Sequence, residues 1–346
     1  MGGRETMSVL AAQGRTSIMK YYMIGGRLLA FHFEDEIAAR VCEEFIGGMY
    51  FSPQPARAAC FVHCTIKIFS GEPPPLPPGC QSFTVPRGCC FANGDEHFLD
   101  IDGSRVAVYS AARRLVCIWL GTTEHARHPV AITNTLSYAV QAALRRCGLY
   151  VLHAAGVIEP KTGTSVVVIG QSNSGKSSLT IRLAKAGWHY LSDDMLVLRE
   201  EAGRIEASAL RRIFSVSASS LAGCHLNGIE EALGSPVNSD PSKRRLEPGI
   251  IFPDGFVESC QPRVLLFPTL TGEAQSSVEK LSASEAMTRL IRQSPWAGYD
   301  ASTSREHLRV LGTLAKQSVS YTLSAGRNLI EDATSAPELV ASCFAN

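Results

Sequence analysis

The chain lacks any hydrophobic run long enough to cross a membrane. Its 346 residues are 45% hydrophobic, yet no stretch approaches the roughly 18 consecutive apolar residues of a transmembrane helix. A chain this rich in apolar residues can bury a large core and is not disordered. Its first twelve residues also lack the apolar segment of a signal peptide. We therefore expect a soluble, cytoplasmic protein without a membrane partner.

The chain also lacks an excess of positive charge. Its 33 Lys and Arg residues are balanced by 32 Asp and Glu residues, which leaves a net charge of +1. Proteins that bind nucleic acid need a clear basic excess to contact the phosphates. The balance of charge therefore argues against a dedicated nucleic-acid partner. Homo-oligomer formation remains possible.

The cysteines lack the spacing of a disulfide-rich miniprotein or a zinc module. There are 11 of them, and in a chain of this size free thiols are the first expectation. Cys60, His63 and Cys64 form one local group, but they lie in a strand-like run in which positions 60 and 64 share one face. We favour ordinary packing for this group, with a metal site as the alternative.

The first 130 residues predict a β-rich N-terminal domain. Short runs rich in β-branched and aromatic residues are separated by Gly, Pro, Asn and Asp, and Asp102-Gly103 is typical of a hairpin turn. The apolar spacing of 36–46 predicts a helix instead. The predicted strands are 21–33, 59–69, 81–86, 97–101, 105–110 and 114–120.

From residue 131 to residue 346 the pattern predicts an α/β domain. A helix over 133–147 is followed by a strand over 152–158 and by Ser165–Ile169, an uninterrupted β-branched run typical of a buried strand. Helices are predicted at 177–186, 282–293 and 304–316. Further strands are predicted at 189–191, 195–199, 263–268 and 318–323.

The segment from Gly170 to Ser177 fits the P-loop pattern G-x4-G-K-[ST] at every fixed position. An apolar strand precedes it and a helix follows it, as the motif requires. Glycines let the backbone fold around phosphate oxygens, and the amides of the helix N-terminus supply a positive field. In such loops the lysine, here Lys176, reaches the β- and γ-phosphates, and the hydroxyl of Ser177 binds Mg²⁺. The predicted nucleotide-binding residues are Gly170, Ser172, Asn173, Ser174, Gly175, Lys176, Ser177 and Ser178.

Two further features lie near this loop in the predicted fold. Asp193 and Asp194 follow the next short strand, where the metal-binding acid of a P-loop protein is expected. One carboxylate could bind Mg²⁺ while the other accepts the proton of an attacking hydroxyl. We favour Asp193 as the base and Asp194 as the metal ligand. His153 lies on the strand before the P-loop strand, and taken alone it is more typical of a core histidine.

His153, the P-loop and the Asp193-Asp194 pair together resemble the HPr kinase/phosphorylase family. The resemblance extends over about 135–340 and is closer to the smaller HPr-kinase-like relatives, among them lasso-peptide precursor kinases. It implies a P-loop kinase domain shaped like phosphoenolpyruvate carboxykinase, with ATP and Mg²⁺ as cofactors and a serine hydroxyl as acceptor. It also implies that His153, Asp193, Asp194 and Lys176 are catalytic, and that a basic loop containing Arg244 and Arg245 lies near the phosphates.

The chain departs from HPr kinase in one motif. The glycine-rich signature expected after the aspartate pair is missing, and residues 211–214 have the sequence Arg-Arg-Ile-Phe instead. This departure argues against HPr as the substrate. The sequence therefore leaves three hypotheses: a kinase acting on a serine of a peptide or protein, such as a ribosomal-peptide precursor, a small-molecule kinase, and a regulatory nucleotide-binding protein.

Overall fold

The computed structural model describes residues 17–344, apart from 57–60, 86, 225, 227–228, 238–239 and 333. The first residues, for which we expect no signal peptide, and Cys60 therefore lie outside the described residues. The described part of the chain is a mixed α/β structure with several β-sheets. None of its helices is both long enough and apolar enough to span a membrane.

The first sheet is formed by the β-rich part of the chain. Its strands are β1 (Ile18–Ile24), β2 (Arg27–Phe33), β3 (Ser52–Gln54), β4 (Cys64–Ser70), β5 (Gln81–Val85), β6 (Gly88–Asn93), β7 (Glu96–Ile101), β8 (Ser104–Val108) and β9 (Leu115–Leu120). Their order across the sheet is β3-β1-β2-β4-β9-β8-β7-β6-β5. The run 21–33, predicted as one strand, is a hairpin divided at Gly25-Gly26, and the strand predicted from residue 59 begins at Cys64.

Three helices accompany this sheet: α1 (Glu36–Gly47), α2 (Glu124–Arg127) and α3 (Pro129–Arg146). Helix α1 begins where the sequence predicts it, because the side chain of Asp35 accepts a hydrogen bond from the Ala38 amide at 2.8 Å. Helix α3 begins four residues earlier than predicted, with Pro129 in its first turn and His128 as its N-cap.

The rest of the chain alternates strands with helices. The strands are β10 (Leu149–Ile158), β11 (Ser165–Ile169), β12 (His189–Ser192), β13 (Met195–Glu201), β14 (Arg204–Ala209), β15 (Phe214–Ser217), β16 (Leu233–Val237), β17 (Asp240–Leu246), β18 (Ser259–Cys260), β19 (Val264–Leu270), β20 (Ser277–Leu281) and β21 (Val319–Ala325). The helices are α4 (Lys176–Lys185), α5 (Ala218–Gly223), α6 (Pro248–Ile251), α7 (Ala283–Arg292), α8 (Trp296–Tyr299), α9 (Ala301–Gln317), α10 (Asn328–Glu331) and α11 (Ser335–Ser342).

Most of these strands form a second sheet in the order β18-β14-β13-β10-β11-β19-β21-β20, with β12 paired to β10. Strands β15, β17 and β16 form a small separate sheet. The segment 200–262, which the sequence presents as a polar stretch, therefore contains strands and short helices. Its strands are short and polar on one side, so hydrophobic periodicity does not reveal them.

Strand β11 is covered by apolar side chains on both faces of the second sheet. Val166 and Val168 belong to the apolar cluster on the α4 side, whereas Val167 and Ile169 belong to the cluster that contains the apolar face of α9. Alternate residues of a strand point to opposite faces. Because both faces are buried, the strand is apolar at every one of these positions.

Helix α3 packs against the first sheet. Its residues Leu136 and Leu144 share one core with Phe31, Ile66 and Ile118 of that sheet. Leu149 and Val197 of the second sheet are part of the same core. The boundary predicted near residue 130 falls at the start of this shared helix, and the division into two domains stays a prediction.

We predict that Gly88→Ala destabilises the first sheet. A Cβ atom at this position would lie 1.9 Å from the carbonyl oxygen of Asp100 on the neighbouring strand. The backbone must shift to relieve this contact, which lowers the free energy of unfolding by about 1–3 kcal/mol. Circular dichroism should show a melting temperature several degrees lower. Gly47→Ala is the control, because a Cβ there meets nothing within 4 Å, and equal melting temperatures for the two variants would contradict the prediction.

Candidate active site

The loop of residues 170–175 connects β11 to α4 and forms one wall of a cavity of about 370 Å³. Gly175 is the N-cap of α4 with φ +91°, a left-handed conformation that glycine adopts without strain. No side chain in the described part of the protein caps this helix, so its first amides stay available to an anion. The sequence-predicted residues that line the cavity are His153, Ser172, Asn173, Gly175, Lys176, Ser177, Ser178 and Asp194.

Lys176 is the buried cation of this loop. Only 5% of the residue is exposed, and its Nζ donates to the carbonyl oxygens of Gly170 and Gln171 at 2.7 and 3.0 Å. Burial lowers the pKa of Lys176, and the facing charges of Asp194 and Asp193 partly offset this effect. A lysine held by two neutral carbonyl groups can exchange them for phosphate oxygens, which bind it more strongly.

Asp193 lies directly beside Ser177. Its Oδ2 accepts a hydrogen bond from the Ser177 hydroxyl at 2.6 Å and from the Ser215 amide at 3.3 Å. The side chain is fully buried, and Oδ1 has no hydrogen-bond partner among the described residues. Burial, followed by the charge of Asp194, raises the pKa of Asp193 to about 6. A buried carboxylate oxygen without a donor is the arrangement that a cation would satisfy.

Asp194 has different neighbours. Its Oδ1 is 2.7 Å from His153 Nε2, and its Oδ2 accepts from Arg211 Nη1 at 2.6 Å. Burial alone would raise the pKa of Asp194, but the His153 hydrogen bond and the Arg211 charge outweigh it and hold the pKa well below its usual range. Asp194 stays ionised, and about a quarter of its side chain is exposed.

The geometry places the two aspartates differently from what the roles favoured by the sequence would require. Asp193, favoured as the base, is buried against the Ser177 hydroxyl. Asp194, favoured as the metal ligand, faces the cavity and is bound by His153 and Arg211. Consecutive residues after a strand point in different directions, and the spacing alone cannot show which one faces the loop.

Arg211 was missed by sequence reasoning as a site residue. It appeared there only as part of the Arg-Arg-Ile-Phe segment that replaces the family signature. In the structure it binds Asp194, and its Nη2 donates to the Ser215 hydroxyl at 2.7 Å. The available signal was its position just after β14, a strand that neighbours the aspartate pair through β13.

The basic segment 243–245 is not a loop, which corrects the sequence prediction. All three residues lie on β17. Lys243 lines the cavity and donates to Asn173 Oδ1 at 3.1 Å. Arg244, predicted to bind the cofactor, donates instead to the Gly234 carbonyl at 3.0 Å, and Arg245 forms an ion pair with Glu44. Of the three cations, the structure brings only Lys243 to the P-loop cavity.

A second cavity of about 470 Å³ also borders the loop. Asn173, Gly175 and Ser178 line both cavities, and Ser174 lines the second. Its apolar lining comes from Leu179, Pro268, Leu270, Leu323, Ala325 and Leu329. A mostly apolar cavity beside a polar one suits a ligand that has an apolar part and a charged part.

The structure describes only two members of the group Cys60, His63 and Cys64. Cys60 lies outside the described residues, whereas His63 Nδ1 accepts from the Leu28 amide at 3.1 Å and Cys64 is buried. Within the described ranges, no group of three or more His, Cys, Asp or Glu side chains is arranged to hold a metal ion by itself.

Comparison with known proteins adds little to this geometry. No protein-family model matches the chain, and no curated protein matches it at a significant level. Among solved structures, the Hpr(Ser) kinase/phosphatase from Coxiella burnetii is similar at 16% sequence identity and a TM-score of 0.25. The match covers 38% of this chain and 71% of that one. This similarity is distant and partial, so the functional argument rests on the geometry of the site.

Proposed function

We propose that this protein is an ATP- and Mg²⁺-dependent phosphotransferase that transfers the γ-phosphate to a serine-type hydroxyl of a peptide or protein. The observation that carries the proposal is the buried Asp193 beside Ser177, with one carboxylate oxygen lacking any partner among the described residues. A carboxylate and the P-loop serine are the protein groups that bind Mg²⁺ in P-loop nucleotide hydrolases.

The small number of protein oxygens at this site is what Mg²⁺ requires, because Mg²⁺ does not need a complete set of protein ligands. Mg²⁺ binds through one or two protein oxygens, with phosphate oxygens and water completing its coordination. Asp193 and Ser177 supply such oxygens at the border of a cavity that also contains Lys176. ATP supplies the activated γ-phosphoryl group, and Mg²⁺ neutralises the charge that develops on it.

The acceptor side of the site is formed by His153 and Asp194. His153 Nε2 forms a hydrogen bond with Asp194, and this bond orients the ring. Nδ1 is then the nitrogen that can accept a proton from the acceptor hydroxyl. The ionised Asp194 stabilises the resulting positive charge on the ring. Arg211 fixes the second oxygen of Asp194 and keeps the carboxylate in place.

Two alternatives use the same cavity. A small-molecule kinase would need the same phosphate machinery, because that machinery does not select the acceptor. A regulatory nucleotide-binding protein would bind ATP without using His153 and Asp194. Measuring ADP release with and without serine-containing peptides and small hydroxylated compounds separates the three. Phosphate transfer to a peptide supports the proposal, and ATP binding without any transfer contradicts it.

We expect Lys176→Ala to lower the rate of phosphoryl transfer by at least about 100-fold. The buried charge stabilises the transferring group, and removing one such contact has an effect of this size. Lys161→Ala is the control, since Lys161 is exposed in the turn between β10 and β11. Activity within tenfold of wild type in a folded Lys176→Ala protein would contradict the phosphate-binding assignment.

The two aspartates should give different kinetic results. We expect Asp193→Asn and Asp194→Asn each to lower kcat by at least about 10²-fold, the scale for losing a metal ligand or a group that assists proton transfer. Only Asp193→Asn should raise the Mg²⁺ concentration needed for half-maximal activity. Asp254→Asn, at an exposed position, is the control. A raised Mg²⁺ requirement in Asp194→Asn alone would reverse the assignment again.

Lys243 and Arg244 offer a matched pair on one strand. Lys243→Ala should raise the KM for ATP by about two- to fivefold, the range for a partly exposed charge contact. Arg244→Ala should leave this KM unchanged, because its guanidinium binds backbone carbonyls away from the loop. Steady-state kinetics at varied ATP checks both, and equal effects of the two substitutions would show that the strand orientation does not matter.

A further inference from the structure

A third cavity, of about 250 Å³, lies on the side of His153 and Asp194 that faces α3 and α9. His153 and Asp194 line both this cavity, here called the α3 cavity, and the cavity at the P-loop. These two side chains therefore lie where the two spaces meet. The remaining lining residues used below are Arg145, Ser294, Trp296 and His307.

The α3 cavity contains buried polar groups that lack partners among the described residues. Arg145 Nη2, Ser294 Oγ and both ring nitrogens of His307 make no hydrogen bond there. These residues are 3%, 4% and 2% exposed. Burial lowers the pKa of His307 to about 4, so the ring is neutral near pH 7. Buried polar atoms are normally hydrogen-bonded, and several of them around one space indicate a missing polar ligand.

Positive charge exceeds negative charge around the α3 cavity. Asp300 Oδ2 accepts from Arg145 Nε at 2.8 Å and from Arg146 Nη1 at 2.6 Å. One carboxylate therefore faces two buried guanidinium groups. The nearby His97 is neutral, because burial lowers its pKa to about 3. Two further acids lie near this group and each has its own cation: Glu306 forms an ion pair with the exposed Arg309, and Asp194 forms one with Arg211.

Among the described residues, this arrangement leaves one buried positive charge without a counter-ion. An unpaired buried charge is strongly unfavourable unless a ligand compensates it. Arg145 also has its guanidinium 5.4 Å from the centre of the Trp296 ring, which fixes its orientation. A fixed guanidinium with a free nitrogen, next to hydroxyl and imidazole groups, is suited to bind a carboxylate.

We propose that the α3 cavity binds a carboxylate of the phosphate acceptor and thereby places its hydroxyl against His153 and Asp194. The inference rests on the proposed phosphotransferase function. In the transfer step the acceptor oxygen forms a bond to the γ-phosphorus, the bond to the ADP oxygen breaks, and the hydroxyl proton passes to His153. The cavity holds a group of a few heavy atoms, such as a small hydroxy acid or the terminal residue of a peptide.

Binding can be tested on the full chain without any nucleotide. Isothermal titration with glycerate, and with an N-acetylated tetrapeptide that ends in serine, probes the two sources of a carboxylate. Glyceramide and the same peptide with an amidated C-terminus are the neutral counterparts. We expect at least one carboxylate to bind about 10- to 100-fold more tightly than its amide, the range for hydrogen bonds to a charged group. Equal binding of both acids and their amides would overturn the proposal.

Substitutions test whether the preference for a carboxylate over its amide arises in the α3 cavity. Arg145→Gln should remove the preference for the carboxylate, and it should not lower the melting temperature, because it leaves Asp300 paired one-to-one with Arg146. Arg146→Gln takes a guanidinium from the same Asp300 but not from the cavity lining, and it should retain the preference. Ser294→Ala, a smaller change, should weaken carboxylate binding even if Arg145→Gln fails to fold. A retained preference in both Arg145→Gln and Ser294→Ala would overturn the proposal.

The same probes separate this inference from the proposed function. If glycerate or the peptide binds as described but no phosphate transfer occurs with ATP, the carboxylate site stands and the phosphotransferase function fails. If transfer to serine occurs at equal KM for the acid and the amide, the phosphotransferase function stands and the carboxylate site is wrong.

Discussion

Burial of β11 on both faces is the constraint on which the site depends. A strand covered on both sides carries apolar residues along its length, so the polar groups collect beyond its carboxyl end. Strand β12 runs in the same direction as β11, because each is antiparallel to β10. The loop after β11 and the aspartates after β12 therefore meet at one edge of the second sheet. His153 reaches the same place from β10, the strand between them.

At this edge, two adjacent carboxylates of the same type are made chemically different by their neighbours. Asp193 is enclosed by protein and has a raised pKa, whereas Asp194 is held ionised by His153 and Arg211. The difference separates a group oriented toward the P-loop serine from a group oriented toward an open space. Environments that move two carboxyl pKa values apart are a common basis for assigning separate chemical roles.

The sequence predicts local features well and contacts between distant segments poorly. Strand β11 lies at its predicted bounds and α4 within one residue of them, because unbroken β-branched runs and a P-loop are local signals. Arg211 could not be assigned, since its role arises from a contact with Asp194 on another strand. The run 243–245 was wrongly predicted as a loop because it lies on β17, where Arg244 points to the opposite face from Lys243 and Arg245. Buried charge around Asp300 joins residues from distant parts of the chain, which no spacing rule reveals.

Helix α3 contributes residues both to the core of the first sheet and to the cavity beside His153. Its apolar side completes the core of the first sheet, while Ser137, Gln141 and Arg145 from the same helix line the cavity beside His153. A helix is stiff along its axis, so substitutions in the first sheet that tilt α3 would reshape this cavity and leave the loop after β11 in place. Under the proposed function, changes far from the loop after β11 would therefore alter which acceptor fits the cavity while the phosphate-binding residues stay the same.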